Sequence, residues 1–150
     1  MAKFFYRMQN ILDIKYKLEE SAKQEYADAR QRLTEEENKL QHLHNRRAGY
    51  VNDYNESING KLDFIKIEEN GNAIDIMDEM IAMQLEMVRK RSKELEMARQ
   101  KLNTVMQERK MHEKLKEKKF DEFLIELNAQ ENKEVDELIS YKYGSKVTEE

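Results

Sequence analysis

The sequence predicts an all-α fold in which two long helices form an antiparallel coiled-coil hairpin, with the second helix the longer. The 150 residues include no proline and only four glycines, so helix breakers are few. Hydrophobic and charged residues each make up 39% of the chain, which leaves too few apolar residues for the thick core of a compact domain. Apolar residues recur at alternating steps of three and four, the period of a coiled-coil seam.

The first helix is predicted over about residues 4–57. Two charged residues, Lys15 and Glu19, interrupt its apolar series. We expect a local stutter there, in which the apolar residues beside the gap cover it. Those covering residues are Ile11, Ile14 and Leu18. The predicted seam positions are Phe5, Met8, Leu12, Lys15, Glu19, Ala22, Tyr26, Ala29, Leu33, Glu36, Leu40, Leu43, Arg47, Tyr50 and Tyr54.

A link is predicted over residues 58–72, because Asn59-Gly60 and Asn70-Gly71-Asn72 are turn signals. The conformation of residues 61–69 stays open. Asn72, with an aspartate three residues later, has the pattern of a helix N-cap. The second helix is therefore predicted over about residues 73–142, with a tail at 143–150. Its seam is Ile74, Met77, Ile81, Gln84, Val88, Arg91, Leu95, Ala98, Leu102 and Val105, then, after a weak stretch, Phe120, Leu124, Leu127, Val135 and Leu138.

The two predicted helices make one hairpin domain over residues 1–150. Placing Tyr54 opposite Ile74 brings Phe5 near Phe120 and Phe123. Because the second helix is longer, its last turns would extend past the first helix and keep an uncovered apolar stripe. Such a stripe indicates a partner, either a second copy or another protein. Its residues are Leu127, Val135 and Leu138.

Composition and motifs argue against several classes of function. The net charge of −4 does not favour a general nucleic-acid binder, which needs a basic surface. No apolar run approaches the ~20 residues of a membrane span. His42, His44 and His112 are not spaced to converge on a metal, and a two-helix hairpin offers no pocket to shift the pKa of a carboxylate. We expect no catalytic residues, no cofactor and no metal.

Three features suggest protein binding. Met80, Met83 and Met87 cannot all face the seam that Met77 faces, and flexible methionines suit an adaptable interaction surface. Tyr50 and Tyr54 close the first helix, where tyrosines can anchor a partner. The third feature is a locally basic run over residues 107–119, where the apolar pattern thins; its cations are Arg109, Lys110, Lys114, Lys116, Lys118 and Lys119.

Three motifs resemble those of one known family, the FliJ-type flagellar export proteins. They are the opening Lys3-Phe-Phe-Tyr-Arg-Met-Gln-Asn-Ile-Leu-Asp13, the stretch Gln107-Glu-Arg-Lys-x-x-Glu-Lys-Leu-Lys-Glu-Lys118, and the acidic Glu134-Val-Asp-Glu137. Met8 and His112 depart from the leucines expected at those places. The order and spacing of the motifs match the family along nearly the whole chain.

The resemblance implies a stalk-like antiparallel coiled coil, in the cytoplasm and peripheral at the inner face of the cell membrane through protein partners. Its expected partners are the export ATPase hexamer, the cytoplasmic domain of the export gate and export chaperones. Residues expected to dock on the ATPase are Phe5, Met8, Leu12, Arg109, Lys110, Lys114 and Lys116. Residues expected to bind the gate are Leu40, Leu43, Tyr50 and, beside it, Tyr54.

A second interpretation stays open. The same pattern fits a prefoldin-like or general coiled-coil chaperone or adaptor, which would bind unfolded clients or assemble into a larger coil. The sequence does not separate a flagellar system from a related injector, and it leaves the oligomeric state open.

Overall fold

A computed structural model describes residues 2–148 of the chain, with side chains described for residues 2–144. It contains helix α1, Gln9–Asn59, with 51 residues, and helix α2, Phe64–Thr148, with 85 residues. The part of the chain that is described holds no strand. The predicted all-α class, with two long helices and a longer second one, is confirmed.

The packing divides the chain into two units. The bend unit, Glu20–Thr104, contains the end of α1, the link and the first half of α2. The terminal unit combines Met1–Glu19 with Val105–Glu150, so it pairs the start of α1 with the second half of α2. In each unit the two helices run antiparallel.

The seam of the bend unit follows the predicted period. Every predicted seam residue from Ala22 to Tyr54, and from Ile74 to Leu102, is buried or half-buried. The register of the two helices is fixed by polar contacts between them. Along these contacts the residue number in α2 rises as the residue number in α1 falls, as in an antiparallel pair. These contacts are Arg47 Nε to Asp78 Oδ1 at 2.6 Å, Gln84 Nε2 to the Glu36 carbonyl oxygen at 2.9 Å, and Lys101 Nζ to Glu25 Oε2 at 2.9 Å.

The link is much shorter than the predicted 58–72, because α1 ends at Asn59 and α2 begins at Phe64. Asp63 provides the N-cap, since its Oδ1 accepts hydrogen bonds from the backbone N–H groups of Ile65 and Lys66 at 3.2 and 3.4 Å. The predicted cap at Asn72 is wrong, and residues 70–72 lie inside α2. A helical glycine costs only about 1 kcal/mol relative to alanine, which the packing around it can offset.

The chain ends also differ from the prediction. Residues 2–6 are not helical, and α1 begins at Gln9, whose N–H donates to the Tyr6 carbonyl at 3.2 Å. The seam positions counted back from the helix are therefore wrong there: Phe5 is 84% exposed, whereas Phe4 packs edge-on against Phe120 of α2 and Tyr6 is 9% exposed. At the other end, α2 continues to Thr148 past the predicted stop at residue 142.

The glycine inside α2 yields a stability prediction. A Cβ added at Gly71 would meet no atom within 4 Å, and its φ is not positive. Gly71→Ala should therefore raise the free energy of unfolding by about 0.5–1 kcal/mol, because alanine loses less backbone entropy in a helix. Urea unfolding followed by circular dichroism measures this. Gly49→Ala, at a position inside α1 where an added Cβ also meets no atom within 4 Å, should give a similar gain, and a destabilised Gly71→Ala variant contradicts the prediction.

Candidate functional site

A polar cluster occupies the seam of the terminal unit where the apolar series is interrupted. Lys15 Nζ donates to Glu108 Oε2 at 3.0 Å. Arg109 donates to Glu19 through Nε at 2.6 Å and Nη2 at 3.1 Å, in a two-pronged pair. The same guanidinium reaches Glu113 Oε2 from Nη1 at 3.0 Å, and the Tyr16 hydroxyl donates to the other oxygen of Glu113.

These polar residues, and not their apolar neighbours, hold the seam. Glu19 is only 5% exposed, and Lys15 is half-buried. The predicted stutter is therefore wrong. The three residues expected to cover the gap point outward instead, with Ile11, Ile14 and Leu18 being 43%, 55% and 44% exposed. The seam keeps its period because each charged residue finds a partner of opposite charge on α2.

The electrostatics of the cluster keep its charges in place. The hydrogen bond from Tyr16 lowers the pKa of Glu113, with the Arg109 guanidinium acting in the same direction. That hydrogen bond also raises the pKa of Tyr16, because ionisation would remove the donated proton. The pair with Glu19 raises the pKa of Arg109. Glu113, Tyr16 and Arg109 therefore each keep one protonation state near neutral pH, as expected of a structural network.

The predicted ATPase-docking residues differ in their exposure. Leu12 is 2% exposed, and Arg109 is held by Glu19 and Glu113, so both belong to the interior of the terminal unit. Lys116 is half-buried. The other four residues present exposed side chains: Phe5 at 84%, Met8 at 38%, and the exposed Lys110 and Lys114.

The predicted gate-binding residues line the seam of the bend unit. Leu40, Leu43, Tyr50 and Tyr54 are all half-buried, so each has part of its side chain in the seam and part accessible. Among the four methionines between residues 77 and 87, Met77 is a core residue, 3% exposed, whereas Met80 and Met83 are 39% and 73% exposed and Met87 is half-buried.

Sequence reasoning missed an exposed apolar patch at the link. Leu62, Phe64 and Ile65 are 58%, 75% and 69% exposed. Asp63 lies among them but uses its carboxylate to cap α2. The sequence does contain a sign of this patch: the large apolar residues Leu62, Phe64 and Ile65 follow Asn59-Gly60 closely and fit no predicted seam position.

A groove in the terminal unit forms where the non-helical N-terminal segment crosses α2. The Phe4 ring lies 5.1 Å from the Phe120 ring and 5.5 Å from the Phe123 ring, measured between centroids. Basic residues of the segment and acidic residues of α2 line the same groove; they are Lys3, Arg7, Glu122 and Glu126. The expected meeting of Phe5 with Phe120 and Phe123 is made by Phe4 instead.

Within the described residues, no three His, Cys, Asp or Glu side chains come together in a way that could hold a metal ion. Over the same residues, neither helix carries a stretch long and apolar enough to cross a membrane.

Two comparisons with known proteins give matches. A family model described as "Flagellar FliJ protein" matches residues 4–148. A solved structure of a protein described as a YscO homologue, CT670 from Chlamydia trachomatis, superposes with a TM-score of 0.65 at 23% sequence identity. The match covers 99% of this chain and 100% of that one, and it supports the fold. The comparison with curated proteins gave no match.

The ion pair in the terminal seam yields a second prediction. Arg109→Leu should lower the melting temperature, because it leaves the buried Glu19 carboxylate without the guanidinium. Adding Glu19→Leu should recover much of the loss, since two apolar residues can replace a buried ion pair. Lys110→Leu, one residue away and exposed, is the control and should leave the melting temperature nearly unchanged. Equal melting temperatures for the Arg109 and Lys110 variants would contradict the structural role.

The lowered carboxylate pKa values predict acid sensitivity. Folding favours the charged forms of Glu113 and Glu36, whose pKa values lie below the ordinary 4.5, the latter chiefly through the hydrogen bond from Gln84. The two carboxylates contribute fully to the free energy of unfolding above pH 4.5. This contribution is lost as the pH falls through their lower pKa values in the folded state. Thermal unfolding from neutral pH to about pH 3 should show this decline. Glu113→Gln should make the melting temperature fall less steeply with pH. Glu37→Gln, at an exposed control position, should leave the pH dependence unchanged.

Proposed function

We propose the function of this chain from its family, because the chain belongs to the flagellar FliJ proteins. It is therefore a component of a flagellar or related type III export apparatus. Within that apparatus we propose a non-enzymatic role: it couples the export ATPase ring to the membrane export gate and handles export chaperones. The match over residues 4–148 carries the proposal, since it includes both helices completely.

The terminal unit is the proposed contact with the ATPase. Its exposed cations Lys110 and Lys114 lie four residues apart on α2 and so share one face of the helix. Phe5 and Met8 offer apolar surface in the same unit. Exposed apolar residues and exposed cations within one unit are typical of an interface that combines a hydrophobic anchor with electrostatic steering. Leu12 and Arg109 would support this surface from inside the unit.

The bend unit is the proposed contact with the gate. Leu40, Leu43, Tyr50 and Tyr54 recur along the seam side of α1, and their accessible parts form an apolar edge. Met80 and Met83 add flexible exposed surface on α2. Separate units for the two partners would let one chain hold both at once, as coupling requires. The proposed location is cytoplasmic and peripheral to the membrane, through these protein contacts.

The apolar patch at the link favours a second candidate function. Exposed Leu62, Phe64 and Ile65 could hold an unfolded client, as a general coiled-coil chaperone or adaptor would. Such a protein would suppress aggregation of unrelated clients and would lose this activity in Phe64→Ser. An export stalk would instead show selective binding to the ATPase and the gate.

A pull-down with two baits tests the main proposal. The full chain should retain both the purified export ATPase and the cytoplasmic domain of the gate. Lys110→Glu combined with Lys114→Glu should weaken ATPase binding by about tenfold, as expected from losing two exposed charge contacts and adding repulsion. Gate binding should be unchanged, because that contact is assigned to the bend unit. Arg109 is left intact, since changing it would disturb the fold.

The matched control is Lys90→Glu with Lys93→Glu, two exposed lysines of α2 in the bend unit that change the net charge equally. This control should keep ATPase binding. If it loses binding as much as the Lys110 and Lys114 variant, then net charge and not the terminal unit governs the contact. Failure of the unaltered chain to bind either bait would overturn the stalk proposal.

A further inference from the structure

Beside its own seam, the terminal unit carries exposed apolar residues at regular spacing on both helices. On α2, Met111 and Leu115 are 65% and 44% exposed, and they continue a line of residues that starts at Glu108. This line advances by steps of three and four, the spacing of a coiled-coil contact. A line with the same steps runs along α1 and consists of the exposed residues Ile11, Ile14 and Leu18.

An ion pair across the seam shows that both lines face the same side of the unit. Lys15 has Ile11 and Leu18 as its neighbours on the helix surface, four residues before it and three after it. Its Nζ lies 3.0 Å from Oε2 of Glu108, the first residue of the α2 line. Because the helices run antiparallel, the α1 residues before Lys15 lie beside the α2 residues after Glu108. The two lines form one surface, which we call the side face, and its apolar members are Ile11, Ile14, Leu18, Met111 and Leu115.

The spacing of these residues indicates that a helix covers the side face. A pair of helices with a second apolar line beside the seam is typical of a three-helix bundle, where the third helix packs in the groove between the first two. A lipid surface fits less well, because the ion pair between Lys15 and Glu108 lies between the two lines. A hydrocarbon interior offers this pair no hydrogen-bonding groups, whereas the polar side chains of a helix do.

The edges of the side face are basic. Lys17 follows Ile14 by three residues, and Lys114 follows Met111 by three residues, so each apolar line has a lysine at its edge. Lys118 extends the α2 line by a further step of three, and all three lysines are exposed. Charges beside a coiled-coil contact favour partners of opposite sign, so the covering helix should carry carboxylates on its flanks.

The carboxylates of this part of the chain do not cancel the basic edges. Glu108 lies on the α2 line but is paired with Lys15, and farther along α2 Glu122 is paired with Lys119. At 100° per residue, the remaining carboxylates of residues 10–18 and 107–118, apart from the seam residues, point roughly 130° or more away from the middle of their line. These carboxylates belong to Asp13, Glu113 and Glu117.

We propose that the side face is a docking site for an amphipathic helix of another protein, whose apolar stripe packs on Ile14 and Met111 and whose acidic flanks meet Lys17, Lys114 and Lys118. A second copy of this chain, joined through the same face, fits less well because it would bring the lysines of both copies together. The inference goes beyond the proposed function, since it shares only Lys114 with the proposed ATPase surface.

The test uses the full chain and two synthetic helical peptides of about three heptads, identical in their leucine stripe. One peptide carries glutamate on its flanks and the other carries lysine. Fluorescence anisotropy with labelled peptide at about 0.15 M ionic strength gives the affinities. The chain should bind the glutamate peptide at least about tenfold more tightly than the lysine peptide. Equal binding of both, or no binding of the glutamate peptide, overturns the proposal without touching the pull-down result.

Serine variants locate the apolar contact. Ile14→Ser with Met111→Ser should weaken binding of the glutamate peptide by about tenfold or more, because each change removes an apolar side chain from the side face. The matched control is Met83→Ser with Met97→Ser, two exposed methionines of the bend unit, and should bind normally. Equal losses in the two variants, or no loss in the first, overturn the docking site. Circular dichroism should show unchanged helix content, because all four side chains are exposed.

Glutamine variants locate the charged edges. Lys17→Gln with Lys118→Gln should weaken binding of the glutamate peptide and make it less sensitive to salt. Lys90→Gln with Lys93→Gln, two exposed lysines of the bend unit, is the matched control and should bind normally. Lys114 is left intact, so the proposed ATPase surface keeps its charge. If both pairs of changes weaken binding equally, the peptide responds to net charge and the docking site is overturned.

Two further measurements distinguish the other occupants of the side face. Sedimentation velocity would identify a second copy if the unaltered chain is a dimer that Ile14→Ser with Met111→Ser dissociates. Co-sedimentation with phosphatidylcholine and phosphatidylserine vesicles would identify a lipid surface if the same variant loses binding. Either result overturns the proposal. The expected result is no vesicle binding, and no change in the oligomeric state between the unaltered chain and the variant.

Discussion

Two paired helices bury side chains along one narrow seam, and a polar residue in that seam can be satisfied only by the residues that face it. This constraint governs both units. In the terminal unit Glu19 meets Arg109, and in the bend unit Glu36 accepts hydrogen bonds from Gln84. Apolar residues could pack in several registers, but these polar pairs match in only one. The polar positions therefore give the hairpin its register, while the apolar positions supply most of its burial.

The same constraint decides which charged residues remain available for partners. Arg109 belongs by sequence to the basic run, yet its guanidinium is committed to Glu19 and Glu113. Lys110 is adjacent in sequence but lies about 100° away around the helix and is exposed. The cations of a basic run therefore face different sides of the helix. Only those outside the seam can attract a partner electrostatically without giving up a contact that stabilises the fold.

Periodicity predicted the seam well, because the angle between successive helical residues is a local property of the chain. It failed where the outcome depended on distant residues. Lys15 and Glu19 looked like breaks because their partners, Glu108 and Arg109, lie about ninety positions away. Residues 70–72 looked like a helix start because Asn and Gly are weak helix formers, but the preceding Asp63 cap and the following core override that preference.

The functional residues were harder to predict, since exposure depends on both elements of a contact. Leu12 and Phe5 both carry the apolar pattern, yet one is 2% and the other 84% exposed. The difference arises because the chain before Gln9 is not helical, so a heptad count extended backwards assigns Phe5 to the wrong side. The uncovered stripe at Val135 and Leu138 was predictable, because it required only that α2 be longer than α1.

The terminal unit carries two unlike surfaces on a single helix. Lys110 and Lys114 form a cationic face, whereas the exposed last turns of α2 carry Val135 and Leu138 beside the acidic Glu134 and Asp136. A surface of one charge sign would be attracted to one of these and repelled by the other, so a single uniform contact cannot satisfy both. The two stretches of α2 are therefore physically distinct surfaces.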